Sequence, residues 1–136
     1  MPTLDRPNVV ESESLGGGFR RVGLEEFSTG FESIYHGEYL YYGKRQLSYF
    51  VSSSLSPGRR FAAYAADHES GSQGDQDGFH VYVFRAADQQ IFRITQERVY
   101  YVGEFKWEWD EAAGHLFLHF KDGRPTEKFL LPPAKA

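Results

Sequence analysis

The stretch SLSPGRRFAAY at residues 54–64 decides the fold class, because it places a tight Ser-Pro-Gly turn directly before an apolar strand. The stretch WEWDEAAGHLFLHF at residues 107–120 repeats this plan, with one more residue in its turn. Proline followed by glycine is typical of a reverse turn, and alternating apolar residues are typical of a strand. A chain that contains the phrase twice is predicted to be an antiparallel sheet built hairpin after hairpin.

Strand patterns continue on both sides of this repeat. Residues 46–52 and 79–85 alternate with a period of two, which is the spacing of a strand with two different faces. Turn residues such as Gly43 and Gly114 separate the strands. The other predicted strands are residues 32–36, 38–42, 60–66, 91–95, 98–102, 104–109, 116–120 and 128–131.

The one candidate helix is a short turn around residues 24–27. We therefore predict an all-β fold, an antiparallel meander or sandwich of about nine strands with at most one short helix.

The domain organisation follows from length and from the distribution of glycine and proline. Residues 1–18 are polar and contain Pro2, Pro7 and three consecutive glycines, which predicts a flexible N-terminal arm. The remaining residues, 19–136, are predicted to form a single β-rich domain. The polar segment 67–78 predicts a long loop that is either functional or disordered.

Composition excludes several classes of partner. The 136 residues carry 19 acidic and 15 basic side chains, a net charge of −4, which argues against nucleic acid and is compatible with a basic protein partner. The chain has no cysteine, no signal-peptide pattern and no apolar run long enough to span a membrane. We expect a cytoplasmic protein that does not bind membranes.

Part of the repeat resembles a known family. Residues 55–64, 81–84 and 90–95 look like one blade of the TolB/WD40-like β-propellers, in which a Ser-Pro-Asp-Gly turn precedes the second strand and a threonine closes the last. Residues 109–120 resemble the start of a second blade. The resemblance covers about half of the chain, and the aspartate that precedes glycine in the family turn is missing before Gly58.

The resemblance implies an alternative fold of two propeller-like blades. Because propellers contain four or more blades, such a chain would be a subunit of an oligomeric ring, and a lectin-like glycan binder is the function it implies.

Catalytic and metal-binding patterns do not emerge from the residues. Segment 75–78 resembles the opening of a calcium loop but lacks the closing glutamate, and no nucleophile elbow or phosphate loop is present. His115 and His119 share a strand face, yet their separation of about 13 Å is too large for one metal ion. We predict a non-enzymatic protein with no metal and no cofactor.

The aromatic and acidic residues point instead to protein binding. Aromatic residues make up 17% of the chain, and exposed tyrosine and tryptophan beside glutamate are typical of contact surfaces. In size, charge and composition the chain is similar to small bacterial immunity proteins. We predict a protein-binding module, most concretely an immunity-type inhibitor that masks a cognate toxin or enzyme, with a homo-oligomer left open. The predicted contact residues are Asp67, Glu69, Asp75, Asp77, Tyr39, Tyr41, Tyr42, Trp107 and Glu108.

Overall fold

The computed structural model describes residues 9–28, 33–66, 79–96, 99, 105–121 and 123–133. Within these ranges the chain is all-β and contains three antiparallel sheets, each formed by strands that are consecutive in the sequence. The strands are β1 (Val9–Gly16), β2 (Phe19–Ser28), β3 (Ser33–Tyr42), β4 (Arg45–Tyr49), β5 (Ser53–Leu55), β6 (Phe61–Ala66), β7 (His80–Arg85), β8 (Gln90–Arg93), β9 (Phe105–Asp110), β10 (His115–Phe120) and β11 (Glu127–Leu130).

The predicted all-β, antiparallel fold is confirmed, with eleven strands in the described ranges where we predicted about nine. The sheets contain β1–β4, β5–β8 and β9–β11, and a short 3-10 turn, Phe50–Ser52, separates β4 from β5. The predicted strand at residues 98–102 lies outside the described residues except for Val99, which bridges to Phe79.

The chain divides into two compact units, Met1–Ser53 and Ser54–Ala136. The first contains the sheet β1–β4, and the second contains the sheet β9–β11 and nearly all of the sheet β5–β8.

Residues 9–28 form a hairpin, although we predicted that residues 1–18 are an arm and that residues 24–27 form a helical turn. β1 pairs with β2, and β2 pairs with β3 along its whole length. Val22 and Leu24 are buried on one face of the sheet, so the apolar residues follow the period of a strand. The helical prediction is therefore wrong, and the part of the predicted arm before β1 lies outside the described residues.

The sequence predicted two strands separated by Gly37, at residues 32–36 and 38–42. In the structure β3 is one continuous strand through Gly37. A Cβ atom added at Gly37 would lie 2.8 Å from the ring of Tyr39, so the glycine leaves the space that this ring occupies. The glycine thus accommodates a large neighbour within one continuous strand of ten residues.

Both faces of the first sheet contain buried residues: Phe19 and Leu40 are fully buried on one face, and an apolar cluster lies on the other. Tyr39 and Tyr41 of β3 pack there with Val22 and Leu24 of β2, and Val9 of β1 packs against them. Paired residues in antiparallel strands point to the same side, and the register Val22 to Tyr39 and Leu24 to Gly37 produces this apolar row.

The core of the second unit lies between its two sheets. One face of β6 and β7 contributes Phe61, Ala63, Val81 and Val83, and β10 contributes Leu116, Leu118 and Phe120. From β9, Phe105, Trp107 and Trp109 pack against this cluster and are half-buried. β6 and β7 are buried on both faces, and on the second face the rings of Tyr64 and Tyr82 stack with centroids 5.5 Å apart.

The two copies of the repeated phrase contact each other through their turns. Glu111, in the second turn, accepts hydrogen bonds from the Gly58 backbone N–H at 2.6 Å and from Arg60 Nε at 2.9 Å in the first turn. The first turn is itself closed by Ser56, whose buried hydroxyl oxygen accepts hydrogen bonds from the backbone N–H groups of Arg60 and Phe61. We call the contact between Glu111 and the first turn the turn clasp.

Glu111 is ionised in the turn clasp. Its side chain is only 9% exposed, and burial alone would raise its pKa. Hydrogen bonds from Gly58, Arg60 and Ser56, together with the charge of Arg60, outweigh burial and hold the pKa of Glu111 below its ordinary value. A second bond, from Trp109 Nε1 to Ser54 Oγ at 2.9 Å, joins the same two copies of the phrase.

Candidate protein-binding surfaces

The four acidic loop residues that we predicted as partner contacts, Asp67, Glu69, Asp75 and Asp77, lie outside the described residues. Their role in binding stays a prediction. No helix in the described part of the chain is long and apolar enough to cross a membrane.

The three predicted tyrosine contacts have different environments. Tyr39 is 9% exposed and Tyr41 is fully buried in the core of the first unit, where Tyr41 Oη donates to Gln46 Oε1 at 3.0 Å. Strand parity places both side chains on one face of the sheet, and both are buried there. Tyr42 is half-buried on the opposite face, with its ring edge-on to Phe19 at 5.0 Å.

The two predicted contacts in β9 point to opposite faces of their sheet. Trp107 packs half-buried against the core of the second unit, so it stabilises the fold. Glu108 is 61% exposed and faces outward. Of the predicted contacts that the structure describes, Glu108 is the exposed one and Tyr42 is partly accessible.

Glu11, Glu13 and Glu38 form an acidic cluster around Arg21 on the face of the first sheet opposite Val22 and Leu24. Arg21 Nη1 is 3.1 Å from Glu11 Oε1 and also contacts Glu38, and Arg21 Nε is 3.0 Å from Glu13 Oε1. The strand register brings these side chains together. Glu13 pairs directly with Arg21. Glu11 and Glu38 both pair with Gly23, which lies two residues after Arg21 on β2. We call these four residues the acidic surface.

The acidic surface is exposed at its carboxylates and anchored at its centre. The three glutamate side chains are 42–59% exposed, whereas Arg21 is 21% exposed. Glu13 and Glu11 raise the pKa of Arg21 through hydrogen bonds, so the guanidinium stays charged. Gly23 allows Glu11 to lie across the sheet, since a Cβ atom at Gly23 would approach Glu11 Cγ to 2.7 Å.

Apolar residues lie beside the acidic surface. The ring centroid of Phe50 is 6.0 Å from Arg21 Cζ, and the next residue, Val51, is 86% exposed. Among the described residues Val51 is the most exposed large hydrophobic side chain. An exposed apolar residue next to fixed charges is an arrangement typical of protein-contact surfaces.

A second exposed surface is the outward face of the sheet β9–β11. We call this surface the outer face; it contains Lys106, Glu108, Asp110, His115, Phe117, His119, Lys128 and Leu130. The rings of His115, Phe117 and His119 follow one another along β10, with centroids 6.1 and 6.4 Å apart. Charged side chains of β9 and β11 flank this aromatic row on both sides.

His119 links the outer face into a hydrogen-bonded network. Its Nε2 is 2.6 Å from Glu108 Oε1 and its Nδ1 is 2.8 Å from Thr126 Oγ1. A carboxylate only accepts, so Nε2 carries the proton donated to Glu108. The side chains of His119 and Glu108 are 42% and 61% exposed, so the network lies open to solvent and orders the surface.

The buried charged group of the second unit serves the fold. Arg85 has an 8% exposed side chain and forms two parallel hydrogen bonds with Asp88, at 3.0 and 2.7 Å. It also donates to the carbonyl oxygen of Pro133 and lies over the ring of Phe92. The Asp88 carboxylate raises the pKa of Arg85, which stays charged and fixes the C-terminal segment to the β7–β8 hairpin.

The sequence contained a signal for the acidic surface that we did not use. Residues 11–14 read Glu-Ser-Glu-Ser, an alternation that places both glutamates on one face of a strand. We assigned this segment to an arm because of the nearby glycines. The pairing of Glu38 with the same arginine has no sequence signal, since it depends on the register between β2 and β3.

Comparisons with known proteins do not indicate a function for this chain. No family model matches the chain, and no curated protein and no solved structure matches it. In the described ranges, no group of three or more histidine, aspartate or glutamate side chains is placed to hold a metal ion.

Proposed function

We propose that this chain is a non-enzymatic protein-binding module, most concretely an immunity-type inhibitor that masks a basic toxin or enzyme. The observation that carries the proposal is the acidic surface, in which three carboxylates are held around one partly buried guanidinium. The ring of Phe50 lies near this guanidinium, and the next residue is the exposed Val51.

Charge supports a basic partner. Three carboxylates against one guanidinium leave two net negative charges on the acidic surface, in a chain whose total charge is −4. Complementary charge accelerates association and selects against acidic partners. Since Arg21 already orders the glutamates, a basic side chain of the partner would meet them with less loss of conformational entropy.

Val51 supplies the apolar contact that a charged surface alone lacks. It follows Phe50, whose ring lies near Arg21, so the apolar and acidic parts adjoin. A partner that covers both parts would bury Val51 and desolvate the glutamates together. Apolar anchors surrounded by polar groups commonly carry most of the binding free energy of protein complexes.

The triple variant Glu11→Gln, Glu13→Gln, Glu38→Gln is expected to lose a basic partner that the wild-type chain captures from the source cell at one-to-one stoichiometry. We expect at least about a tenfold weaker complex, because three charge-complementary contacts disappear. Isothermal titration with the purified partner measures the change, and an assay of the partner's own activity tests whether wild-type chain inhibits it.

The control removes two exposed carboxylates in the second unit that are not predicted contacts, Asp110→Asn and Glu127→Gln. This variant should bind the partner as the wild type does. Equal affinity of all three proteins, or a captured partner whose activity is unaffected by the chain, would contradict the proposal.

A second candidate function is a glycan-binding assembly of blade-like subunits. It is favoured by the arrangement of each described sheet as a meander of consecutive strands. In this case a glycan array probed with the wild-type chain should give specific binding, and the binding species should be an oligomer by light scattering. An array without binding would contradict the glycan-binding function and would not affect the proposed protein-binding function.

A further inference from the structure

The outer face of the sheet β9–β11 has a charge pattern that complements itself. Phe117, on the central strand β10, pairs with Glu108 of β9 on one side and with Lys128 of β11 on the other. The acid and the base therefore flank the same aromatic ring at the same level of the sheet. Lys106 and Asp110 lie on β9 at either side of Glu108.

This pattern decides between two ways of stacking the face on a copy of itself. With a two-fold axis parallel to β10, strand β9 of one copy lies over β11 of the other. Glu108 of each copy then lies opposite Lys128 of the other, and the two Phe117 rings meet on the axis. Both charge contacts are attractive. Lys106 pairs with His119, whose other side faces Thr126, so Lys106 lies opposite this uncharged residue.

With a two-fold axis perpendicular to the strands, β9 would lie over β9 and β11 over β11. Glu108 would then lie opposite its own copy, and so would Lys128, at the centre of the contact. These two like-charge contacts offset the two attractions of Lys106 for Asp110, whereas the parallel axis gives two attractions and no like-charge contact. The face therefore specifies the parallel axis.

Two further features suit the face for contact. Leu130 is 73% exposed on the β11 side of the face, so it presents apolar area to whatever covers it. The bonds from His119 to Glu108 and Thr126 hold these side chains before association, which lowers the entropy lost on binding. The four charged residues of the face sum to zero, so the face does not favour a basic partner over an acidic one.

We infer that the outer face binds a second copy of this chain, in a dimer with its two-fold axis along β10 and reciprocal Glu108–Lys128 contacts around paired Phe117 rings. This surface lies in the second unit, and the acidic surface lies in the first, so the dimer is independent of the proposed inhibitor function.

Sedimentation equilibrium of the full chain tests this inference with two single variants, Glu108→Lys and Lys128→Glu. Each variant alone places like charges opposite each other at two positions and should dimerise at least about tenfold more weakly than the wild type. An equimolar mixture of the two variants should recover a heterodimer, because every contact between unlike copies is again attractive. Phe117→Ala should weaken the dimer in the same assay.

Lys106→Glu is the matched control for Lys128→Glu. It makes the same substitution on the same face, at a position that lies opposite Thr126 in the dimer. It should dimerise as the wild type does. Circular dichroism of each variant checks that the sheets are retained. A wild-type chain that is monomeric at about 1 mM, a mixture that fails to associate, or a Lys106→Glu variant as weak as Glu108→Lys would each overturn the inference.

The acidic-surface triple variant should still dimerise, and Phe117→Ala should still capture the basic partner. Failure of the dimer is therefore distinguishable from failure of the proposed function.

Discussion

Replacing Glu111 by alanine is expected to lower the free energy of unfolding by about 2 kcal/mol, because the carboxylate makes charge-assisted bonds to Gly58 and Arg60 that water replaces only partly. The Glu111 side chain itself is 9% exposed, whereas Gly58 lies at the surface, so its N–H is left to bond with water when the carboxylate is removed. Urea denaturation followed by circular dichroism measures the change. Alanine at the exposed Glu127 is the control and should change stability by less than about 0.5 kcal/mol.

The effect of Glu111 should depend on pH. The pKa of Glu111 is lowered by folding, so its ionised form stabilises the native state above the unfolded pKa of about 4.3. This contribution is lost as the pH falls below about 5 and through the lowered native value. The stability difference between wild type and Glu111→Gln should therefore shrink from pH 6 to pH 3, and a constant difference would show that ionisation is not the source.

A double-mutant cycle with Gly58→Ala tests the turn clasp by a second route. A Cβ atom at Gly58 would lie 2.8 Å from Glu111 Oε2, so the alanine displaces the carboxylate without removing it. The two substitutions should then be strongly non-additive, since each one breaks the same contact. Additive losses would mean that Glu111 and the first turn stabilise the protein independently.

Replacing Leu118 by alanine is expected to cost about 3 kcal/mol, the largest single effect predicted for this chain. Leu118 is fully buried between the two sheets of the second unit, where it belongs to the cluster formed by β6, β7 and β10. Truncation removes apolar area and leaves a cavity that rigid sheets fill only partly. The loss should appear as a lower urea midpoint with an unchanged slope.

The control for Leu118 is the same substitution at Leu130, which is 73% exposed on the neighbouring strand β11, where it pairs with His115. Measured at a protein concentration at which the chain is monomeric, Leu130→Ala should cost less than about 0.5 kcal/mol. Similar losses at both positions would contradict the assignment of Leu118 to the core.

The accuracy of the sequence-based predictions varied with the range of the interactions. The turn before Phe61 predicted β6 correctly, and the alternation in residues 79–85 predicted β7 correctly. Neighbouring residues determine both features. Residues 11–14 alternate as clearly, yet the nearby glycines led us to assign them to an arm. β2 was mistaken for a helical turn because its apolar residues at 22, 24 and 27 fit either period until the pairing with β3 is known.

The candidate surfaces were less predictable than the fold. Parity correctly placed Tyr39 and Tyr41 on one face of β3, but the sequence pattern does not say that this face is buried. In the structure Trp107 points inward and Glu108 outward on one strand. A strand pattern defines two faces without saying which one is covered, since covering depends on elements that are distant in the sequence.

The repeated turn-and-strand segment, at residues 54–64 and 107–120, shows the same difference between local and long-range features. Each copy forms a turn followed by a strand, and the sequence predicts this because the residues that impose the geometry are adjacent. The contact between the copies, through Glu111 at Gly58 and Trp109 at Ser54, is visible only in the folded chain. These contacts join residues more than fifty positions apart. Their formation depends on the packing of two sheets, which no local pattern encodes.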